Sequence, residues 1–152
     1  MAGLVCVDLL APKHPAIFGT GPFVSDLRTA AMRGGSGEEA LITAATAQLC
    51  NHYGFTTSVG AGMTDAKAPD CQAGYEKALA VALAAHTGCN NVSESAGMLG
   101  SLMALSLESM VIDNDMLGAI LRTVRGIEVN EETLSYHVME QVVHGEGHFL
   151  RT

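Results

Sequence analysis

Tryptophan is absent from this 152-residue sequence, aromatic residues make up only 5%, and charged residues make up only 16%. Lysine and arginine number 8 against 16 aspartates and glutamates, which gives a formal net charge of -8. This shortage of positive charge argues against nucleic acid or an anionic membrane surface as a partner, because both are negatively charged. No apolar run approaches the roughly 20 residues that a membrane-spanning helix needs.

Cysteine is also sparse, and its spacing excludes two common roles. The four cysteines, at positions 6, 50, 71 and 89, form neither a C-x-x-C motif nor a compact metal-binding pattern. A chain of this length does not need disulfides to fold, so reduced thiols are predicted. The N-terminus lacks a cationic start and its short apolar run is broken by Asp8. A signal peptide is therefore not expected, and the sequence is predicted to be cytoplasmic.

Hydrophobic residues make up 48% of the chain and 17 glycines punctuate it, a composition typical of one folded domain over residues 1–152. Apolar patterning and turn residues predict short strands at 15–19, 55–61 and 90–95. Helix patterns and their caps predict helices at 2–11, 37–53, 70–87 and 106–125, and a final helix from Asn130 to Gly145.

The helix over 37–53 carries the clearest start signal. Ser36 and Glu39 have the spacing of a capping box, in which each side chain bonds to the other residue's backbone amide. Helical spacing places five residues on one face of this helix: Leu41, Ala45, Gln48, Leu49 and His52. We expect this face to pack against the rest of the fold.

The predicted strands are centred near residues 17, 58 and 92, with about 41 and about 34 residues between centres. These spacings leave room for crossover helices between parallel strands, whereas antiparallel hairpins need far fewer residues. The sequence therefore predicts an α/β fold with about three parallel strands, crossover helices and C-terminal helices. A closed eight-unit barrel takes about 250 residues, so these 152 residues cannot close one alone.

Polar side chains follow each predicted strand. In parallel α/β folds ligands bind beyond the carboxyl ends of the strands, so these loops are the candidate site, although exposed loops are polar in any case. The first loop contains Ser25, Asp26, Arg28 and Arg33; the second contains Thr64, Asp65, Lys67 and Asp70; the third contains Ser93, Glu94 and Ser95.

Other motifs favour structural roles. The glycine-rich stretch 33–37 opens a helix and is a weak candidate for anion or nucleotide binding, but acidic residues follow it at once. His144, Glu146 and His148 are separated by glycines, unlike the rigid helical metal motif, and no metal site is predicted. Asp113 and Asp115 are expected on diverging, solvated faces of one helix.

Five stretches carry dense and specific motifs: residues 25–29, 32–38, 62–77, 94–99 and 111–114. The longest reads T-D-A-K-A-P-D-C-Q-A-G-Y-E-K over residues 64–77. Together these stretches closely resemble the trimethylamine methyltransferase family, over nearly the whole chain.

The resemblance implies a TIM (β/α)8 barrel, of which this chain is a C-terminal part. It also implies an enzyme that moves a methyl group from a methylated amine or quaternary ammonium compound to the Co(I) of a corrinoid. The corrinoid (cobalamin) is carried by a separate partner protein, and none is expected to bind this chain directly. The family's trimethylamine users carry pyrrolysine, whereas this chain contains only standard residues.

The same resemblance suggests roles for individual residues. Glu94 is the candidate for contacting the substrate nitrogen, at a position where some relatives have histidine. Ser58 stands where betaine-using relatives carry a basic residue, so its neutral side chain argues against a betaine. The remaining candidates for the substrate-binding rim are Arg28, Asp65, Lys67, Asp70, Gln72 and Tyr75. Each could instead be a helix cap or an ion-pair partner, and Arg28 could simply pair with Asp26.

Two functional classes follow. The first is a methyltransferase fragment that is active only within a longer protein. The alternative is a non-catalytic α/β module that pairs with itself or another chain to cover its open sheet edges. Exposed edges promote association, so a homo-oligomer is expected in either case.

Overall fold

A computed structural model describes residues 2–145 and 147–149. Its helices are α1 (Ala2–Leu10), α2 (Gly37–His52), α3 (Cys71–His86), α4 (Leu107–Val124), α5 (Glu131–Leu134) and α6 (Tyr136–His144). Its strands are β1 (Ile17–Thr20), β2 (Val24–Ser25), β3 (Met32–Arg33), β4 (Thr56–Gly60), β5 (Asn91–Ser93), β6 (Met98–Leu99) and β7 (Ala104–Leu105).

The main sheet contains three parallel strands in the order β1, β4, β5. In its register Ile17 lies opposite Thr56, and Ser58 lies opposite Asn91. The helix α2 connects the first pair of strands and α3 connects the second pair. The prediction of three parallel strands with crossover helices is thus confirmed, and the arrangement is compatible with part of an α/β barrel.

The core lies between the sheet and the helices. Val59 of β4 is fully buried and packs in one cluster with Ala40 of α2, Val81 of α3 and Ile120 of α4. On α1, by contrast, no residue is buried. No helix within the described ranges is both long enough and apolar enough to cross a membrane.

The buried face of α2 differs from the predicted one. Ala40, Ala44 and Ala47 face inward, whereas Leu41 is 65% exposed and Leu49 is 56% exposed. Alanine side chains allow α2 to approach β4 and α3 closely, and a leucine at the same positions would not fit that spacing. The predicted stripe was therefore wrong: the buried face of α2 is the adjacent one, which carries the alanines.

The start of α2 follows the prediction only in part. Ser36 is the N-cap and its Oγ accepts a hydrogen bond from the Glu39 amide at 3.1 Å. The reciprocal half of the capping box is missing, because the Glu39 carboxyl turns inward and is completely buried. Glu39 therefore belongs to the interior of the fold.

The single C-terminal helix that the sequence predicts is interrupted. Asn130 caps α5 as expected, with its side-chain oxygen accepting from the Thr133 amide at 2.8 Å. Ser135 then adopts a left-handed conformation with φ of 48°, which separates α5 from α6. Two short hairpins, β2 with β3 and β6 with β7, were not predicted either.

Candidate functional site

Glu94 lies directly after β5, at the carboxyl edge of the sheet. Its φ is 62°, a left-handed conformation that costs a non-glycine residue about 1–2 kcal/mol. A Cβ added to Gly60, at the end of β4, would lie 2.9 Å from Glu94 Oε2. The carboxylate therefore lies over Gly60, and Glu94 keeps a strained backbone at this edge. Strain of this kind concentrates at functional sites.

Ser58 lies on β4, two residues before Gly60 and therefore on the same face of the strand. Its hydroxyl accepts a hydrogen bond from Asn91 Nδ2 at 2.8 Å. Glu94 and Ser58 are thus brought to one side of the sheet.

Asp65 anchors the loop after β4 to the loop that precedes α2. Its Oδ1 accepts from the Gly34 amide at 2.9 Å and from the Ser101 hydroxyl. Its Oδ2 lies 3.6 Å from Arg33 Nε. The Lys67 ammonium folds back and donates to the Asp65 carbonyl. Lys67 therefore contacts its own loop, whereas Asp65 connects that loop to the segments that carry Gly34 and Ser101.

Met63 lies between the segments that hold the two carboxylates. It is 2% exposed and fills space in the core. Cβ atoms added to Gly34 and Gly60 would lie 2.9 Å from its Cβ and 3.9 Å from its Cε, respectively. Met63 therefore packs beside both Gly34, whose amide bonds to Asp65, and Gly60, which lies next to the Glu94 carboxylate.

Glu76, on the inner face of α3, is a second carboxylate that accepts several hydrogen bonds. Its Oε2 accepts from the Thr64 hydroxyl and from the Asp65 amide, the latter at 2.9 Å. Its Oε1 accepts from Gln72 Nε2 at 2.9 Å. A Cβ added to Gly35 would lie 2.1 Å from Glu76 Oε2, so this loop needs glycine there. Gln72 thus supports the rim from within the protein.

Two further candidates lie at the start of α3. Asp70 is the N-cap of this helix, and its Oδ1 accepts from the Ala73 amide at 3.1 Å. Tyr75 lies in the first turns of α3 and is 62% exposed. The structure therefore assigns Asp70 the capping role that the sequence had left as an alternative, whereas Tyr75 remains accessible.

Arg28 occupies the tight turn between β2 and β3. Asp26 Oδ1 accepts from the backbone amides of Arg28 and Thr29 at 2.8 and 3.0 Å. The hydrogen bond from the Arg28 amide, followed by that from Thr29, lowers the pKa of Asp26. Asp26 therefore binds the backbone at Arg28, and both Arg28 and Arg33 line one surface groove.

The most unusual group near this edge is Glu39, in the first turn of α2. The side chain is completely buried, and neither carboxylate oxygen has a hydrogen-bond partner among the described residues. The Thr43 hydroxyl, one helical turn further on, likewise lacks a partner within that part of the chain. Burial, and then the negative charges of Asp65 and Glu94, raise the pKa of Glu39 to about 7.

A buried ion pair fixes the loop that follows Glu94. Lys77 Nζ lies 2.6 Å from Asp113 Oδ2 and donates to Ser109 Oγ at 2.8 Å. The same Asp113 oxygen accepts from the Gly97 amide at 2.7 Å. The prediction that Asp113 is solvated like Asp115 was wrong, because Asp113 is only 3% exposed and joins α3, α4 and this loop.

Sequence reasoning assigned no functional role to Glu39, Glu76, Lys77 or Asp113. One signal was available on α3, where Glu76 and Lys77 recur at helical spacing with Ala73 and Ala80. Polar residues within a small-residue stripe indicate a buried polar network. On α2 the capping-box pattern concealed the same signal at Glu39.

The other candidate sites from the sequence are the histidine motif near the C-terminus and the glycine-rich stretch before α2. Within the described ranges, no group of three His, Cys, Asp or Glu side chains is arranged to hold a metal ion. Glu146, the central residue of the histidine motif considered above, lies outside those ranges. In the glycine-rich stretch before α2, the Gly34 amide donates to Asp65 and the Glu39 amide donates to Ser36. Two amides that would bind an anion are therefore already engaged.

Comparison with known proteins gives one consistent family. Residues 1–152 match the family model described as trimethylamine methyltransferase (MTTB). A glycine betaine methyltransferase of Desulfitobacterium hafniense is 37% identical over 150 residues, which cover 99% of this chain and 31% of that protein. The trimethylamine methyltransferase MttB of Methanosarcina thermophila is 39% identical over 93% of this chain and 29% of its own length. The chain thus spans less than a third of the length of these two relatives.

Proposed function

The chain belongs to the trimethylamine methyltransferase family, and from this premise we propose that it forms part of a barrel enzyme that demethylates a methylated amine or quaternary ammonium compound. The methyl acceptor in this proposal is the Co(I) of a corrinoid bound to a separate protein. The observation that carries the proposal is Glu94, a carboxylate held in a strained conformation at the carboxyl edge of the parallel sheet.

Glu94 suits a cationic substrate for two reasons. Its negative charge attracts an ammonium group, and the nearby Asp65 adds to the negative potential at this edge. Glu94 is also exposed, so a cation can reach it. Tyr75 presents an exposed aromatic ring on α3, the kind of surface to which methylated cations bind.

The proposed reaction depends more on aligning the methyl group with its acceptor than on proton transfer. The nitrogen keeps the electron pair of the broken C–N bond, and Co(I) supplies the pair for the new bond to carbon. The residues of this chain therefore hold the cation, orient its methyl group and exclude water. Asp65, Gln72 and Glu76 form a connected hydrogen-bond network behind Glu94, and in this proposal Arg28, Ser58, Lys67 and Asp70 complete the substrate-binding rim.

The proposal is tested by following methyl transfer from tetramethylammonium, trimethylamine or glycine betaine to a reduced corrinoid protein by absorbance. We expect no transfer with residues 1–152 alone and transfer with a longer version of the protein that has the length of its relatives. In the longer version, Glu94→Gln should lower the rate by about 100-fold, since it removes the charge that faces the cation.

Glu38→Gln is the matched control, because Glu38 is an exposed glutamate on α2 and its loss removes the same charge. Transfer by residues 1–152 alone would disprove the dependence on a longer protein. An unchanged rate in Glu94→Gln would remove Glu94 from the site.

The open sheet favours the second candidate function, a module that associates with itself. Both β1 and β5 are edge strands of the main sheet, and Ile17 of β1 is 63% exposed. On α1 the apolar Leu9 is 76% exposed. Unpaired strand edges and exposed apolar side chains promote association.

We therefore expect residues 1–152 to sediment as an oligomer whose fraction grows with protein concentration. Sedimentation velocity over a hundredfold range of concentration measures this directly. A single monomeric species throughout the range would contradict the expectation.

A further inference from the structure

Glu39 combines two properties that rarely occur together. It is completely buried, yet its two carboxylate oxygens have no hydrogen-bond partner among the described residues. Buried polar groups are almost always paired, and a buried charge without a partner is costly. An unpaired carboxyl of this kind therefore indicates a group whose charge is balanced only under particular conditions.

The surroundings of Glu39 are mostly acidic. The charges that act on it are those of Asp65, from the loop after β4, and Glu94, at the end of β5. The cations of the loop before α2 and of α3 are engaged elsewhere: Arg33 lies 3.6 Å from Asp65, and Lys77 is buried against Asp113. No ion pair with Glu39 occurs in the part of the chain that the structure describes.

The other carboxylates and the histidines of α2 and α3 are accounted for. On α3, Glu76 is held by Thr64, Gln72 and the Asp65 amide. On α2 itself, Glu38 is exposed and His52 is the last residue of the helix. The histidine of α3, His86, is likewise its last residue and contacts the Thr123 hydroxyl.

We propose that Glu39 is the proton-linked member of a cation-binding site that it forms with Asp65 and Glu94, and that it gives up its proton when a quaternary ammonium group binds there. This inference rests on the proposed function, since it concerns the same edge of the sheet. It adds Glu39 to the site and couples the ionisation of Glu39 to binding, because the bound cation supplies the counter-charge that an ionised Glu39 otherwise lacks.

The direction of the coupling follows from charge. The pKa of Glu39 is raised to about 7, so at that pH the group is partly protonated in the free protein. A neighbouring cation favours the ionised form and lowers this pKa. Binding therefore releases a proton, and affinity increases as the pH rises. A decrease of one pKa unit on binding makes affinity about tenfold higher above the titration than below it.

Calorimetry of residues 1–152 with choline tests this inference, with the uncharged isostere 3,3-dimethylbutan-1-ol as the matched probe. Titrations at pH 5.5, 7.0 and 8.5 give the affinity. At pH 7.0, phosphate and Tris buffers differ in ionisation heat and so report the protons released. We expect choline to bind about tenfold more tightly at pH 8.5 than at 5.5, with a measurable proton release at pH 7.0. The affinity of the alcohol should not change with pH.

Glu39→Gln should bind choline with little pH dependence and no proton release, whereas Glu38→Gln should behave like the unmodified chain. Circular dichroism confirms that both variants fold, and the pH dependence of the unmodified chain remains decisive if one does not. Absence of choline binding, equal affinity at the three pH values, or a linkage that persists in Glu39→Gln would each overturn the inference.

The inference and the proposed function fail separately. Methyl transfer in the longer protein without proton-linked binding would remove only the role of Glu39. Proton-linked choline binding without methyl transfer would leave the cation site in place and remove only the proposed reaction.

Discussion

Replacing Lys77 with methionine is expected to destabilise the fold by about 3–5 kcal/mol, the usual cost of leaving one partner of a buried ion pair uncompensated. Lys77 is completely buried, and the remaining Asp113 carboxylate would be 3% exposed without its counter-ion. For a domain of this size, each kcal/mol corresponds to a decrease of about 2–4 °C in melting temperature. Thermal and urea denaturation followed by circular dichroism measure the effect.

The control for this variant is Lys13→Met, which removes the same charge from an exposed position and should change stability by less than about 0.5 kcal/mol. A double variant, Lys77→Met with Asp113→Leu, should regain part of the loss, because it removes both charges together. It should not regain all of it, since the Gly97 amide loses its acceptor. If Lys77→Met is as stable as Lys13→Met, the pair does not hold these elements together.

Glu39→Gln is expected to stabilise the protein at alkaline pH by about 2 kcal/mol, a value that discounts the change in pKa for screening by solvent. The pKa of Glu39 rises from 4.5 to about 7 on folding, mainly because the carboxyl is buried. Folding therefore favours the protonated form. Its contribution to stability is complete below pH 4.5, declines as the pH rises toward 7 and is lost above it. Glutamine has no such charge to bury.

Denaturation of the unmodified chain, Glu39→Gln and Glu38→Gln at pH 5, 7 and 8.5 separates the two positions. The curves for Glu39→Gln and the unmodified chain should nearly coincide at pH 5 and diverge at 8.5. Glu38 is exposed, so its substitution should have little effect at any of the three values. A constant difference between Glu39→Gln and the unmodified chain would show that Glu39 does not change its protonation on folding.

Both variants concern side chains whose burial the hydrophobic pattern of the sequence did not predict, although that pattern did predict the order of the main elements. Ser36 begins α2 and Gly54 follows it closely, so local patterns were enough to place this helix. Which face of α2 turns inward depends on its packing against α3 and β4, and the stripe of Leu41 and Leu49 indicated a different face. The inward turn of Glu39 is a tertiary effect that overrides a favourable local cap.

The candidate site was likewise predictable only in part. Asp65 and Glu94 were predicted because they follow strands, and the sheet topology does bring their loops together. The hidden partners were not predictable, since Asp113 meets Gly97 only after α4 packs on α3. Hairpins with two-residue strands, such as β6 and β7, are too short to produce a periodic signal.

The buried carboxyl of Glu39 also has a consequence for handling the protein. The contribution of Glu39 to stability grows as the pH falls toward 5, which is where the isoelectric point of the sequence lies. Molecules near zero net charge repel one another least, and the exposed edges β1 and β5 are then least protected from contact. Conformational stability and colloidal stability are thus expected to have opposite pH optima, so that the conditions giving the firmest fold also favour precipitation.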